Sequence, residues 1–324
     1  MNFNIFPNHD KYVELIPQLI KKINKHIDVE HSDIHKINRT ITYSKQMDVF
    51  HSLNCDSDLL DKLTNSHKIR LLIDMKQYLN DMVGYNSDDI RFDHKFHETY
   101  RNMTKEHANE IRCLMKCIEH LDKFMSIPQN TNPVLITRDL LFELYHILYS
   151  STEPQFRTCS AYTINRLTTP DETHTYVEPE MINAKIDLLI EKVNRMYLNI
   201  LNTTKTFAIK EQQMNYLIEI GIRLISKFTI KFLNIHPFID GNGRIARLVI
   251  NYMFSRIITH TPYLFVYPTN FYLSIVDTRK LKDKFMKTLV YSNVDYSEGK
   301  KNMYKVITHA FYERLNDIYN QIKY

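Results

Sequence analysis

The sequence predicts a mainly α-helical protein in two parts: a helical N-terminal region over 1–130, and a second helical domain over 131–324 that carries one β-hairpin. Three observations lead there. Only 5 glycines and 10 prolines occur in 324 residues, too few to punctuate many short strands. Apolar residues return every three or four positions along most of the chain. Between Phe156 and Val177 the text changes to short β-branched pieces around a polar tip (Thr168, Thr169, Pro170, Asp171), the pattern of a hairpin.

Taken in order, residues 11–28 place Val13, Leu15, Ile16, Leu19, Ile20 and Ile23 at the spacing of an amphipathic helix, and similar faces recur over 58–83 and 98–126. The run SIPQNTNP from Ser126 to Pro133 collects turn formers and marks the boundary near 130. Beyond it, Thr137 can cap a helix that runs to about Tyr149. After the hairpin, Pro179 opens a helix with Met181, Ile182, Ile186, Leu189, Ile190, Val193 and Met196 on one face. The helix over 211–235 is apolar nearly all round, which predicts a core position, and it ends at Pro237. Helical patterns resume over 244–257, 271–291 and 302–322.

Composition narrows the function. The net charge of +5 comes from 42 basic and 37 acidic residues, scattered without an Arg-rich stripe, so nucleic acid is not an expected partner. Four cysteines at irregular spacing do not make a disulfide framework and suit a reducing compartment. With no secretory leader and no apolar run long enough for a bilayer, the expectation is a cytosolic protein that does not enter membranes, working in its own cell or in a host's cytosol.

The chemistry is concentrated in twelve residues, His236-Pro237-Phe238-Ile239-Asp240-Gly241-Asn242-Gly243-Arg244-Ile245-Ala246-Arg247. Two of the five glycines flank an Asn directly before a helix. Glycine lets amide N–H groups converge, and a helix start adds unpaired donors and the positive end of its dipole. That is a cradle for a phosphate. Arg244 and Arg247, three apart, can hold further phosphate oxygens from one face of the first turn. Asp240, beside the cradle, is the kind of single carboxylate that shares Mg²⁺ with phosphates and water. His236 is placed to accept a proton from an incoming hydroxyl. Each piece alone has a plainer account: a capping histidine, a turn, a solvated arginine pair. Phe238 is core in either case.

Together these residues resemble the signature of the Fic family, His-x-Phe-x-(Asp/Glu)-Gly-Asn-(Gly/Lys)-Arg-x-x-Arg, and match it at every defined position. The resemblance extends from about Thr137 to Arg279. It implies a Fic helical core with a β-hairpin flap, preceded here by an additional helical N-terminal domain that resembles nothing familiar. It implies an adenylyltransferase with ATP as co-substrate and Mg²⁺ as cofactor. His236 would be the catalytic base for a target Tyr, Thr or Ser hydroxyl, and Asp240 would bind the metal. Gly241, Asn242 and Gly243 would hold the α-phosphate, and Arg244 and Arg247 the β- and γ-phosphates. Tyr272 resembles the aromatic residue beside the adenine. The partner would be a target protein docked on the flap by strand addition.

The sequence departs from many relatives in lacking the inhibitory pattern (Ser/Thr)-x-x-x-Glu-(Gly/Asn). Thr168 to Glu172 is followed by Thr173, and Glu298-Gly299 has Val294 where Ser or Thr is expected. Either Arg247 is open and the enzyme competent, or a partner inhibits it in trans. Transfer of another phosphate-linked group (uridylyl, phosphocholine or phosphoryl) and a catalytically idle interaction role are the alternatives. Gly243 favours the adenylyl reading over the phosphoryl one, and intact His236, Asp240 and Arg247 speak against idleness. His94, His97, Cys113 and Cys117 have spacings open to a metal, yet they read as chance pairs on long helices, and Cys159 as a buried thiol without a partner base.

Overall fold

The computed structural model describes residues 9–29, 105–125, 134–150, 154–165, 172–258, 288 and 296–323. The helices expected over 58–83 and 271–291, together with Tyr272, His94, His97 and the hairpin tip, fall outside those residues apart from Thr288. The described elements are α1 (His9–Val29), α2 (Lys105–Met125), α3 (Arg138–Tyr149), β1 (Tyr162–Asn165), β2 (Glu172–Thr175), α4 (Pro179–Thr204), α5 (Lys210–Ile235), α6 (Asn242–Ile258) and α7 (Tyr296–Lys323). The protein is mainly helical, as its spacing pattern predicts.

Local chemistry explains the boundaries. Thr137, in extended backbone, accepts the Leu140 N–H at 3.0 Å and starts α3. Pro179 stands at the first turn of α4, where its missing N–H costs nothing. β1 and β2 pair antiparallel in the register Tyr162 with Thr175 through Asn165 with Glu172.

α5 is the spine of the molecule. It lies against α4, α6 and α7, and buries Leu217, Leu224, Ile225, Phe228, Ile230 and Phe232. Its two buried hydroxyls, Ser226 and Thr229, bond back to the carbonyls of Ile222 and Ile225 at 2.7 and 2.8 Å, so the core position strands neither. Arg223 and Glu219 pair at 2.9 Å on its outward face. Helices from both sides of position 130 share one apolar core: α1 packs along α7, while α2 lies against α3 and α6 through Cys113, Leu114, Cys117 and Leu121.

The segment before α3 is held by one side chain. Asn194 of α4 accepts the Leu135 and Ile136 N–H groups at 2.9 and 3.0 Å and donates to the Ile136 carbonyl at 2.7 Å. Arg138 then grips Asp187 and Asn183 at 2.6 and 2.8 Å. These bonds fix α3 relative to α4, and α3 carries the aromatic residues that hold the functional loop.

Candidate active site

The loop between α5 and α6 brings His236, Asp240, Gly241, Asn242, Gly243, Arg244 and Arg247 into one short stretch, as the spacing predicts. Its anchor is Phe238, with no exposed surface. Tyr145 stacks on that ring at 4.5 Å between centroids and 10° between planes, and Phe156 packs at 5.4 Å. Asn242 closes the loop from the other side, accepting the Phe238 N–H at 2.9 Å and donating to the Phe238 carbonyl at 2.7 Å. With both ends of its amide so engaged, the Asn242 side chain shapes the loop.

His236 caps α5 in the left-handed region, φ 51° and ψ 59°, a conformation uncommon for a residue with a side chain. Its N–H completes the helix by donating to Phe232 O at 3.0 Å. The imidazole stacks face to face with Tyr176, just beyond β2, at 3.9 Å and 16°. Burial pushes its pKa down to about 4, and a hydrogen bond from the ring to the Leu233 carbonyl opposes that shift. The Arg157 charge lowers it further, Asp240 raises it, and His174 lowers it. The ring is therefore neutral near pH 7, with one nitrogen engaged by Leu233, the state a proton acceptor requires.

At the other end, Gly241 takes φ 76°, and a Cβ there would lie 2.6 Å from the Tyr149 ring and hydroxyl. Glycine is required on both counts. Its carbonyl accepts the Ile245 N–H at 2.9 Å, so α6 begins two residues before the predicted start at Arg244. The early start follows from the closed Asn242 side chain. By helix geometry the N–H groups of Asn242, Gly243 and Arg244 have no carbonyl within α6, which leaves them as the donors of the predicted cradle.

The cations around the cradle are both engaged. Arg244 donates to the Tyr149 hydroxyl at 2.8 Å and meets Glu110 Oε1 of α2 at 2.8 Å. Arg247 is buried and has contacts of its own, with its Nη1 3.4 Å from where a Cβ on Gly243 would stand. Arg244 thus faces a carboxylate from α2, a helix that precedes position 130.

Asp240 is exposed; its Oδ1 accepts the Gly241 N–H at 2.6 Å, and its carboxylate takes a side-chain hydrogen bond from Tyr149. An exposed carboxylate steadied by its own loop suits a metal ion that arrives with phosphate oxygens and water, the coordination Mg²⁺ prefers. Among the described residues no three His, Cys, Asp or Glu side chains form a group that could hold a metal ion by themselves. Cys113 and Cys117 are buried thiols whose pKa burial raises, whereas Cys159, expected to be buried, is exposed on the segment that leads into the hairpin.

Sequence reasoning placed Arg157 only within the flap region, in the piece Phe156-Arg157-Thr158, and gave no roles to Tyr149 or Glu110. Tyr149 ends a helix on the same face as Tyr145, which is a faint signal of a shared neighbour. Glu110 carried no signal, because Glu106 and Ile111 stand where the inhibitory pattern has Ser or Thr and Gly or Asn.

A helical core with a short antiparallel hairpin, and a loop that turns from a helix-capping histidine into a glycine-lined helix start, define a Fic-type fold. The model of the Fic/DOC family matches residues 135–254, and the chain carries a Fic domain there. Its fold supports a Fic-type transferase in general. The chain is similar to a Fic domain-containing signalling protein from Bacteroides thetaiotaomicron, with 17% identity, 95% of this chain and 97% of that chain covered, and a TM-score of 0.61. It is similar to Fic-1 from C. elegans at 15% identity, covering 97% of this chain and 72% of that one, with a TM-score of 0.58. A Fic family protein from Desulfovibrio desulfuricans aligns at 13% identity over 93% and 73% of the two chains, with a TM-score of 0.50. These likenesses extend the shared fold across the N-terminal helices as well. No curated protein matches the chain. Among the described residues no helix is long and apolar enough to cross a membrane.

Proposed function

We propose that this protein transfers AMP from ATP to a Tyr, Thr or Ser hydroxyl of another protein and releases pyrophosphate. The observation that carries the reading is one loop that joins a neutral, half-buried imidazole to a glycine-lined helix start with two arginines. His236 takes the proton from the target hydroxyl. The freed oxygen forms its bond to the α-phosphorus while the bond from that phosphorus to the bridging oxygen breaks, and pyrophosphate departs. The donors at the start of α6 bear the charge that builds on the α-phosphate, and Arg244 and Arg247 orient the leaving phosphates.

Asp240, with phosphate oxygens and water, would hold Mg²⁺, which when bound neutralises phosphate charge. The negative triphosphate beside His236 raises its pKa from about 4 towards the range useful to a base. A target segment adding to the hairpin would bring its hydroxyl in beside Tyr176. The compartment proposed is the cytosol, the protein's own or a host's.

The test uses the full chain with a cell lysate and ATP labelled at either the α- or the γ-phosphorus. The expected result is α-label in a protein band, dependent on Mg²⁺ and lost in His236→Ala. Label from the γ position alone would replace this reading with phosphoryl transfer, label from UTP in preference to ATP with uridylyl transfer, and no label from any nucleotide with an idle interaction role.

A further inference from the structure

Arg157 lies outside the family signature, yet its side chain is only 5% exposed and donates to four backbone carbonyls. Its Nε donates to His236 O at 2.7 Å and its Nη2 to Ile235 O at 3.3 Å. Its Nη1 donates to Cys159 O at 2.7 Å, and Nη2 also bonds Val177 O. Its own backbone N–H donates to Pro237 O at 2.9 Å. Three consecutive residues of the loop, 235 to 237, are therefore gripped by one residue, which in the same stroke holds the chain entering the hairpin and the chain leaving it.

The need for such a residue is physical. The last carbonyls of α5 have no helical partner and sit at the negative end of its dipole, where a cation is favoured. The left-handed turn at His236 aims the carbonyls of residues 235 and 236 so that one planar fork can reach both. Lysine has the charge and lacks that geometry.

We propose that Arg157 is the positioning residue of the site: by fastening the carbonyls of Ile235 and His236 to both ends of the hairpin, it holds the imidazole in its working orientation and ties that orientation to the surface where a target docks. Arg157 touches none of the reacting atoms and acts through His236. The inference rests on the transfer reaction proposed above for its kinetic consequence. Its structural content stands without it.

Four groups face the imidazole from the elements packed against it: Arg157, Asp240, His174 and Tyr176. Replacing Arg157 leaves the other three in place, so a change in the ring reports on the fork. The experiment compares Arg157→Lys and Arg157→Gln with the wild-type full chain, each checked by thermal melting and by binding of Mg²⁺-ATP. Both variants are expected to lose about 100-fold in kcat, the scale of a misplaced reacting group, with the KM for ATP within about threefold. The histidine ring NMR signals, with that of His236 assigned from His236→Ala, are expected to move or broaden in both.

Folded variants with an unmoved His236 signal would overturn the proposal, as would a kcat within about threefold of wild type. If the wild type transfers no AMP and the His236 signal still moves, the positioning role stands and the transfer reaction falls. Should neither variant fold, the wild type decides. A slowly exchanging Arg157 Nε–H with a cross-peak to the loop supports the fork, and a fast-exchanging one refutes it.

Discussion

The two ends of the functional loop are built on opposite principles. At the end of α5, His236 sits in a half-buried setting made by residues far away in the chain: Arg157 on its carbonyl and Tyr176 against its ring. At the start of α6, the cradle is built from its own text, with Asn242 bonded to Phe238 and Asp240 bonded to Gly241. A base needs its pKa and direction set, which only burial and neighbours can do. A phosphate cradle needs converging N–H groups, which a few residues of backbone supply.

That contrast can be broken at each end. The largest expected effect is at the base: His236→Ala should lower transfer from α-labelled ATP by about 100- to 10,000-fold while the melting profile and Mg²⁺-ATP binding persist. Loss of nucleotide binding in the same variant would show that the two ends are not separable.

Next comes the cradle's backbone. Gly241→Ala meets both a positive φ and the Tyr149 ring, and should cost about 3 kcal/mol in denaturant unfolding. Gly241→Ala combined with Tyr149→Ala should cost less than the sum of the two single changes, since the clash is shared. Strict additivity would mean that the ring is not what excludes a side chain there.

A smaller effect is expected at Glu110. Removing its carboxylate in Glu110→Ala frees Arg244 for the nucleotide, so the Kd for Mg²⁺-ATP should fall by about three- to tenfold, the usual range for releasing one partner of a competing charge pair. Calorimetric titration measures it, and unchanged or weaker binding would make the contact purely structural.

The smallest effect is the pH dependence of stability. The His236 pKa is depressed to about 4, so the unfolded chain takes up this proton before the folded one as pH falls. Its contribution is complete above about pH 6.5, the ordinary histidine value, and is lost as pH drops from there through 4. Urea midpoints of wild type and His236→Ala should therefore differ in slope between those two pH values. Parallel slopes would mean that the ring titrates normally. The acid limb of kcat/KM should lie below pH 6.5 for the same reason.

What could be read in advance follows the same division. Helix existence was legible wherever the apolar face repeats, and the ends of α3 and α4 were legible from Thr137 and Pro179. The start of α6 was misplaced by two residues because Asn242 looked like a turn former, and only its bonds to Phe238 show that it belongs to the helix. The resemblance marked every member of the loop. It gave no hint of Glu110, which reaches Arg244 from 134 positions away in sequence.

By itself, the sequence determined the class of fold, the loop, and the kinds of group placed there: periodicity, glycine freedom and the chemistry of adjacent side chains are local properties. Tertiary structure alone decided that the imidazole is half-buried and neutral, that Arg157 fastens its backbone, and that a carboxylate from α2 faces the first arginine. Those outcomes depend on which surfaces exclude water and which distant groups come within hydrogen-bonding reach, and neither is a property of any short stretch of chain.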